Sequence, residues 1–182
     1  ANILKGYGHF FMISRGRTTL TTQTIFRLMF ETHKKKVYPS FPMSHVVDQP
    51  DVLAEIDRFR GELADHFITF DPGDVDEKLL LDRAVAKAKE GKVDEWLDVT
   101  PHSFGGSKER NQPIRVRVRE VLDIAGDIDG QIYMRDFKLI DQSDMIVSLI
   151  PDLPGGTPGL SSGVERELQH AFEHTKEVYV VW

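Results

Sequence analysis

The chain predicts an α/β fold of the flavodoxin-like kind, a parallel sheet sandwiched by helices with a helical insertion in its middle. Three observations predict it. Short apolar runs bounded by turn residues recur at 9–14, 67–70, 145–150 and 178–182. Stretches with apolar residues at helical spacing separate them, and strands that alternate with helices make parallel sheets covered on both faces. At 182 residues and 40% hydrophobic, the chain is long enough for one domain, 1–182, with a full core.

Taken in order, residues 9–14 (HFFMIS) read as a buried strand and residues 15–18 as the turn after it. Between 20 and 33, Leu20, Ile25, Leu28 and Met29 follow helical spacing, and threonines suit the first turn. Lys34, Lys35 and Lys36 close that helix, where cations complement its dipole. Residues 37–41 form a short strand, which Pro39 and Pro42 restrict to an edge or an end of the sheet. A second helix spans 50–64, with Val52, Leu53, Ile56 and Phe59 on one side. Residues 67–70 are a third strand, closed by the turn Asp71-Pro72-Gly73.

Residues 72–126 read as the insertion, with a charged helical stretch over 74–98 and a polar loop over 100–113. Within it, Ile114-Arg115-Val116-Arg117-Val118 alternates like a strand, while Ile114, Val118, Val121 and Leu122 recur at helical intervals. Both readings stay open. After a break at 126–130 come a helix over 131–143, a strand over 145–150, a helix over 162–176 and a strand over 178–182.

Composition narrows the function. The net charge of −6 argues against a nucleic-acid polymer as partner, because phosphate backbones demand clustered Lys and Arg. No cysteine is present, which removes disulfides and thiolate metal sites. No apolar run approaches the roughly 20 residues that span a bilayer, and no signal-peptide pattern opens the chain. A soluble, cytoplasmic protein without a membrane partner is the expectation.

The chemistry concentrates in the last third. Residues 159–171 (GLSSGVERELQHA) lie after the apolar run 145–150 and open a helix, and ligands of open α/β sheets sit at the carboxyl ends of strands. Ser162 and Glu165 fit an S-x-x-E capping box, a purely structural duty. Glu167 has no such duty. Near a helix N-terminus it is favoured as a carboxylate, the form that attacks or stabilises a cationic sugar carbon, although a solvated helix face is the plainer explanation. Asp136, Asp141 and Asp144 are further acidic candidates. Asp144 directly precedes a strand and has capping as its ordinary role. Asp136 lies two turns earlier, away from at least part of the apolar stripe.

Arg135-Asp136, Asp144, the apolar run 145–150, Ser161, Gly163-Val164 and Glu167-Leu168 together resemble the nucleoside 2-deoxyribosyltransferase family, most closely its 2′-deoxynucleoside 5′-phosphate N-hydrolase branch. The resemblance implies Glu167 as nucleophile, Asp136 as second catalytic carboxylate, Ser161 as a 5′-phosphate ligand and Gly163 as a substrate-binding residue. Asp144 joins the substrate-binding set. By the same resemblance Ser14, Arg15 and Gly16 form the phosphate and sugar loop after the first strand, and His45 belongs to a short segment after the second. The family's first-strand tyrosine matches His9 here, with Tyr7 two residues earlier. The implied activity is cleavage or transfer at the N-glycosidic bond of a nucleoside or nucleoside 5′-monophosphate, by a homo-oligomer and without a cofactor. The rival is a nucleotide-binding sensor that keeps the fold without turnover.

Other signals carry less. Residues 155–159 (GGTPG) lack the lysine of a phosphate-binding P-loop, and no G-x-G-x-x-G follows a strand. These absences count against a nucleotide kinase and a dinucleotide cofactor. His170 and His174 are spaced i,i+4 on a helix, but the sequence shows no third ligand, so a solvated face is preferred to a metal site. Arg115, Arg117 and Arg119 form a small basic stripe, read as solvated, and residues 71–76 lack the spacing of a calcium loop.

Overall fold

The computed structural model describes residues 18–43, 46, 48–73, 77–99 and 114–182. The expected strand at 9–14, and with it Ser14, Arg15 and Gly16, lies outside the described residues, as does His45. In chain order the elements are α1 (Thr18–Phe30), β1 (Lys36–Ser40), α2 (Pro50–His66), β2 (Ile68–Thr69), α3 (Glu77–Lys89) and β3 (Trp96–Val99). Then follow β4 (Ile114–Arg117), α4 (Val118–Asp123), α5 (Ile128–Gln142), β5 (Met145–Leu149), β6 (Asp152–Leu153), β7 (Thr157–Pro158), α6 (Ser162–Glu173) and β8 (Glu177–Val181).

The apolar runs form a four-stranded parallel sheet in the order β2-β1-β5-β8, with helices around it, which is the α/β flavodoxin-like arrangement. β1 lies inside this sheet, which corrects the edge position expected from its prolines. The ladder bonds explain how. The carbonyls of Lys35 and Val37 accept from Ile68 and Phe70 on the β2 side, whereas that of Lys36 accepts from Asp144 on the β5 side. Alternation therefore turns the missing N–H of Pro39 toward β2, one step past the last paired residues. The side facing β5 keeps its ladder, from Val37 against Met145 to Ser40 against Ser148.

Period-two alternation along β1 and β5 sends side chains to two separate layers. On one face Val37, Met145 and Val147 pack against Leu63 and Phe59 of α2, and Phe41 and Leu149 pack against Val52 and Ile56. On the other, Tyr38 and Ile146 meet Ile140 of α5 and Ala171 of α6, flanked by Phe137 and Leu168. Each aliphatic side chain buried this way contributes about 1.5–3 kcal/mol. Arg27 ties α1 to the end of α2 by donating to the carbonyls of Ala64 and Phe67. The buried Arg60 of α2 holds Asp71, just beyond β2, through an Nε–Oδ2 contact of 2.7 Å. β8 closes the described sheet on one side, and its five residues are exposed.

The described part of residues 72–126, expected as a helical insertion, is not helical throughout, and the helical reading of 74–98 gives way to the strand Trp96–Val99. α3 and α4 enclose an antiparallel ribbon, β3 with β4, around a separate apolar cluster of Ala84, Leu97, Val118 and Val121. Both readings of residues 114–122 hold in turn. The alternating half is β4, and the helical half begins at Val118. Among the described residues no helix is long and apolar enough to cross a membrane.

Ile146 is fully buried, whereas Val178 on β8 is 38% exposed. Ile146→Ala is expected to lower the unfolding free energy in urea by about 2–5 kcal/mol, and Val178→Ala by less than about 1 kcal/mol.

Candidate active site

All strands of a parallel sheet end on one side, so loops leaving β1, β2 and β5 gather at a common edge. The path from β5 to α6 is built to reach it. After β5 the chain makes the small hairpin β6–β7, turned by Pro154 and by Gly155 at φ +94°, with Gly156 N–H donating to the Leu153 carbonyl at 3.0 Å. Proline then glycine at the centre of that turn is the sequence a type II turn requires. The hairpin closes where Gly159 N–H donates to the Pro151 carbonyl at 2.7 Å, an approach so tight that a β-carbon at 159 would lie 2.8 Å from that oxygen. The glycine-rich segment 155–159 thus serves the turn and its closure.

Ser161 then starts α6 as its N-cap, its Oγ accepting from Val164 N–H at 3.2 Å. This corrects the expected capping box at Ser162 and Glu165, which lie one position further into the helix. The Ser161 hydroxyl hydrogen is not used by that bond. Gly163 sits in the first turn, where backbone N–H groups have no intrahelical acceptor and an anion is favoured. A β-carbon at Gly163 would meet only Ser161 Oγ, at 3.7 Å.

α6 buries Val164 and Ala171, and Glu167 falls between them on the same stripe. Its carboxylate enters the layer that Tyr38, Ile140, Ile146 and Ala171 form. Two hydroxyls from β1 meet it there. Tyr38 Oη donates to Glu167 Oε1 at 3.0 Å, and Ser40 Oγ donates to Oε2 at 2.6 Å. Tyr38 and Ser40 are two residues apart on one strand, so they share the face that looks at α6.

Asp136 approaches from α5. It lies on the buried stripe with Ile140 and Ser143, being 5% exposed, which corrects its expected placement away from the apolar side. Arg135 Nε contacts Asp136 Oδ1 at 2.9 Å. The two carboxylates are close enough to act on each other's charge. Burial pushes the Glu167 carboxyl up to about 7 against the ordinary 4.5, and the Asp136 charge adds to the rise. The hydrogen bonds from Ser40 and Tyr38 and the charge of Arg135 hold it back. Burial, with the negative charges of Glu167 and Asp136, keeps the Tyr38 phenol protonated well above its usual range, so it stays a donor.

The structure thus brings Glu167 and Asp136 together, with Ser161 and Gly163 on the same helix as Glu167. It does not bring Asp144 to them. That carboxylate lies at the amino end of β5, where it accepts from Lys36 N–H at 2.8 Å and sits 3.5 Å from Lys36 Nζ. Its place is the opposite end of the strands from Ser40, and it braces the start of β1.

Tyr38 and Ser40 escaped the sequence reading. A polar residue at every second position of a strand otherwise buried was the available signal. Ser148 repeats it inside an apolar strand. It pairs in register with Ser40, is fully buried, and its Oγ has no hydrogen-bond partner among the described residues. Comparison with family models, with curated proteins and with solved structures gave no match.

A carboxyl with its folded-state pKa raised binds its proton more tightly in the folded chain, so its favourable share is present at low pH and lost as pH climbs from 4.5 through about 7. Glu167→Gln is therefore expected to exceed the parent chain in stability at pH 8, by about 1–3 kcal/mol, and to match it near pH 4. Urea melts at the two pH values check this; equal stability at both would show a well-solvated carboxyl at 167.

Proposed function

We propose that the protein cleaves or transfers at the N-glycosidic bond of a nucleoside or nucleoside 5′-monophosphate, with Glu167 as nucleophile. The observation that carries the reading is the Glu167 carboxylate, gripped by Tyr38 and Ser40 and raised in proton affinity by the nearby charge of Asp136. The resemblance of the last third to the nucleoside 2-deoxyribosyltransferase family supports it. The direct contact of Tyr38 with the glutamate supports it as well, as a contact of this chain's own, since the resemblance matches the family's tyrosine to His9 and not to Tyr38.

In this mechanism a Glu167 oxygen attacks C1′ of the sugar, the C1′–N bond breaks, and the base departs with the bonding electrons. The two hydroxyls orient the attacking group, and their bonds favour its ionised form in a site where burial opposes it. Asp136 positions the sugar hydroxyls or the departing base. Water attacking the glycosyl ester restores Glu167 and makes the enzyme a hydrolase, whereas a second base makes it a transferase. Ser161 and the first-turn N–H groups of α6 receive the 5′-phosphate. Ser14, Arg15, Gly16 and His45 belong to the substrate set by resemblance alone. The reaction needs no metal and no redox group.

Incubation with a panel of deoxynucleoside monophosphates, followed by chromatography for free base, tests the proposal. Base release is expected, and Glu167→Ala is expected to reduce it by about 10³-fold or more. Nucleotide-induced thermal stabilisation without release would instead identify a binding module.

The pH profile gives a second test. kcat/KM is expected to rise with pH through an apparent pKa near 7. Ser40→Ala removes a bond that lowers the Glu167 pKa, so the rising limb is expected to move to higher pH. A limb that stays in place would separate the titrating group from Glu167.

A further inference from the structure

Beyond the carboxylates, α5 and α6 bring together three side chains that the sequence left apart. Asp141 is near the end of α5, and His170 and His174 lie one turn apart near the end of α6. His170 Nε2 and Asp141 Oδ1 are 2.8 Å apart, and one ligand atom from each of Asp141, His170 and His174 lies within 4.8 Å of the other two. We propose that Asp141, His170 and His174 bind a divalent transition-metal ion of the zinc class, which clamps α5 to α6.

The donor set fits that class. Two imidazoles and one carboxylate suit Zn²⁺, Ni²⁺ or Cu²⁺, whereas Mg²⁺ takes oxygen ligands. Three donors around one such ion stand about 3.3 Å apart at bond lengths of about 2.1 Å, so the group closes with a shift of about an ångström at the side-chain tips. The His174 imidazole is held from behind, and His170 Nε2, which donates to Asp141 Oδ1 in the metal-free chain, gives up that proton to solvent when the ion binds. His174 Nδ1 lies 2.9 Å from the His170 carbonyl, which only accepts, so Nδ1 carries the proton and Nε2 is the ligand atom. The His170 ring stacks on Phe137, with centroids 4.2 Å apart and planes at 5°. Lys176 Nζ donates to the carbonyls of Asp141 and Ser143 at 2.7 and 2.8 Å, fixing the backbone that carries the aspartate. Its positive charge tempers the affinity.

The position gives the ion a role. Asp136 precedes Asp141 on α5, and Glu167 precedes His170 on α6. A metal bridge between Asp141 and the histidines therefore fixes the spacing of the two helices that carry those carboxylates. The ion touches neither carboxylate, so this inference stands apart from the proposed glycosidic chemistry.

Thermal unfolding and equilibrium dialysis of the full chain with ZnCl₂ test it, with MgCl₂ as control. Zinc at about 100 μM is expected to raise Tm by about 4 °C or more with one ion bound per chain, and magnesium to leave Tm unchanged. Asp141→Asn and His174→Gln each replace a solvent-exposed ligand and are expected to weaken zinc binding by at least about tenfold, with metal-free Tm near that of the parent. Zinc binding that survives both substitutions, or the lack of any zinc-dependent shift in the parent chain, overturns the proposal.

Discussion

A carboxylate on the inward stripe of a helix must find donors or give up its charge, because taking it out of water costs more than neighbouring apolar contacts return. Glu167 is such a group, and Tyr38 and Ser40 supply the donors. That requirement organises much of the structure. It demands that β1 lie beside β5, so that its hydroxyls reach α6. It also explains polar residues at alternate positions of a buried strand. The match is incomplete, since burial still outweighs the two hydrogen bonds and leaves the carboxyl titrating near neutrality. A group balanced there exchanges between proton-bearing and ionised forms under ordinary conditions.

The surroundings serve that balance at graded distances. Asp136 raises the proton affinity of Glu167, and Arg135 restrains it. The β6–β7 hairpin returns the chain to Pro151 before α6 begins, so a long connection acts as a short one. Near the carboxyl ends of α5 and α6, Asp141 and His170 join the two helices by a polar contact. Ile140, Ala171 and Ile146 fill the apolar layer in between.

Much of the fold was legible because its signals are local. The apolar runs of β5 and β8, the stripe of α2 and the breaks around them depend only on neighbouring residues, and the elements appear close to where periodicity put them. Where two local signals competed, over 114–122, a strand and a helix follow one another. Pro39 misled for a specific reason. A missing N–H is harmless inside a sheet when its neighbouring strand has already ended. The capping box at Ser162 failed because Ser161 offers an equivalent hydroxyl one residue earlier, and only the path out of the hairpin selects between them.

What the sequence determined by itself was the succession of β1, β2, β5 and β8 with the helices α1, α2, α5 and α6 around them, though not the ribbon strand β3 or the hairpin β6–β7. It also determined the presence of acidic residues on the helices flanking β5, because periodicity and side-chain type both act within a few residues. Which polar groups meet was a matter for the tertiary structure. Tyr38 and Ser40 stand 129 and 127 residues from Glu167, and Asp141 stands 29 from His170. Such partners are chosen by strand order and helix docking, which place Asp136 beside Glu167 and send Asp144, equally acidic and close in sequence, to the far end of the sheet.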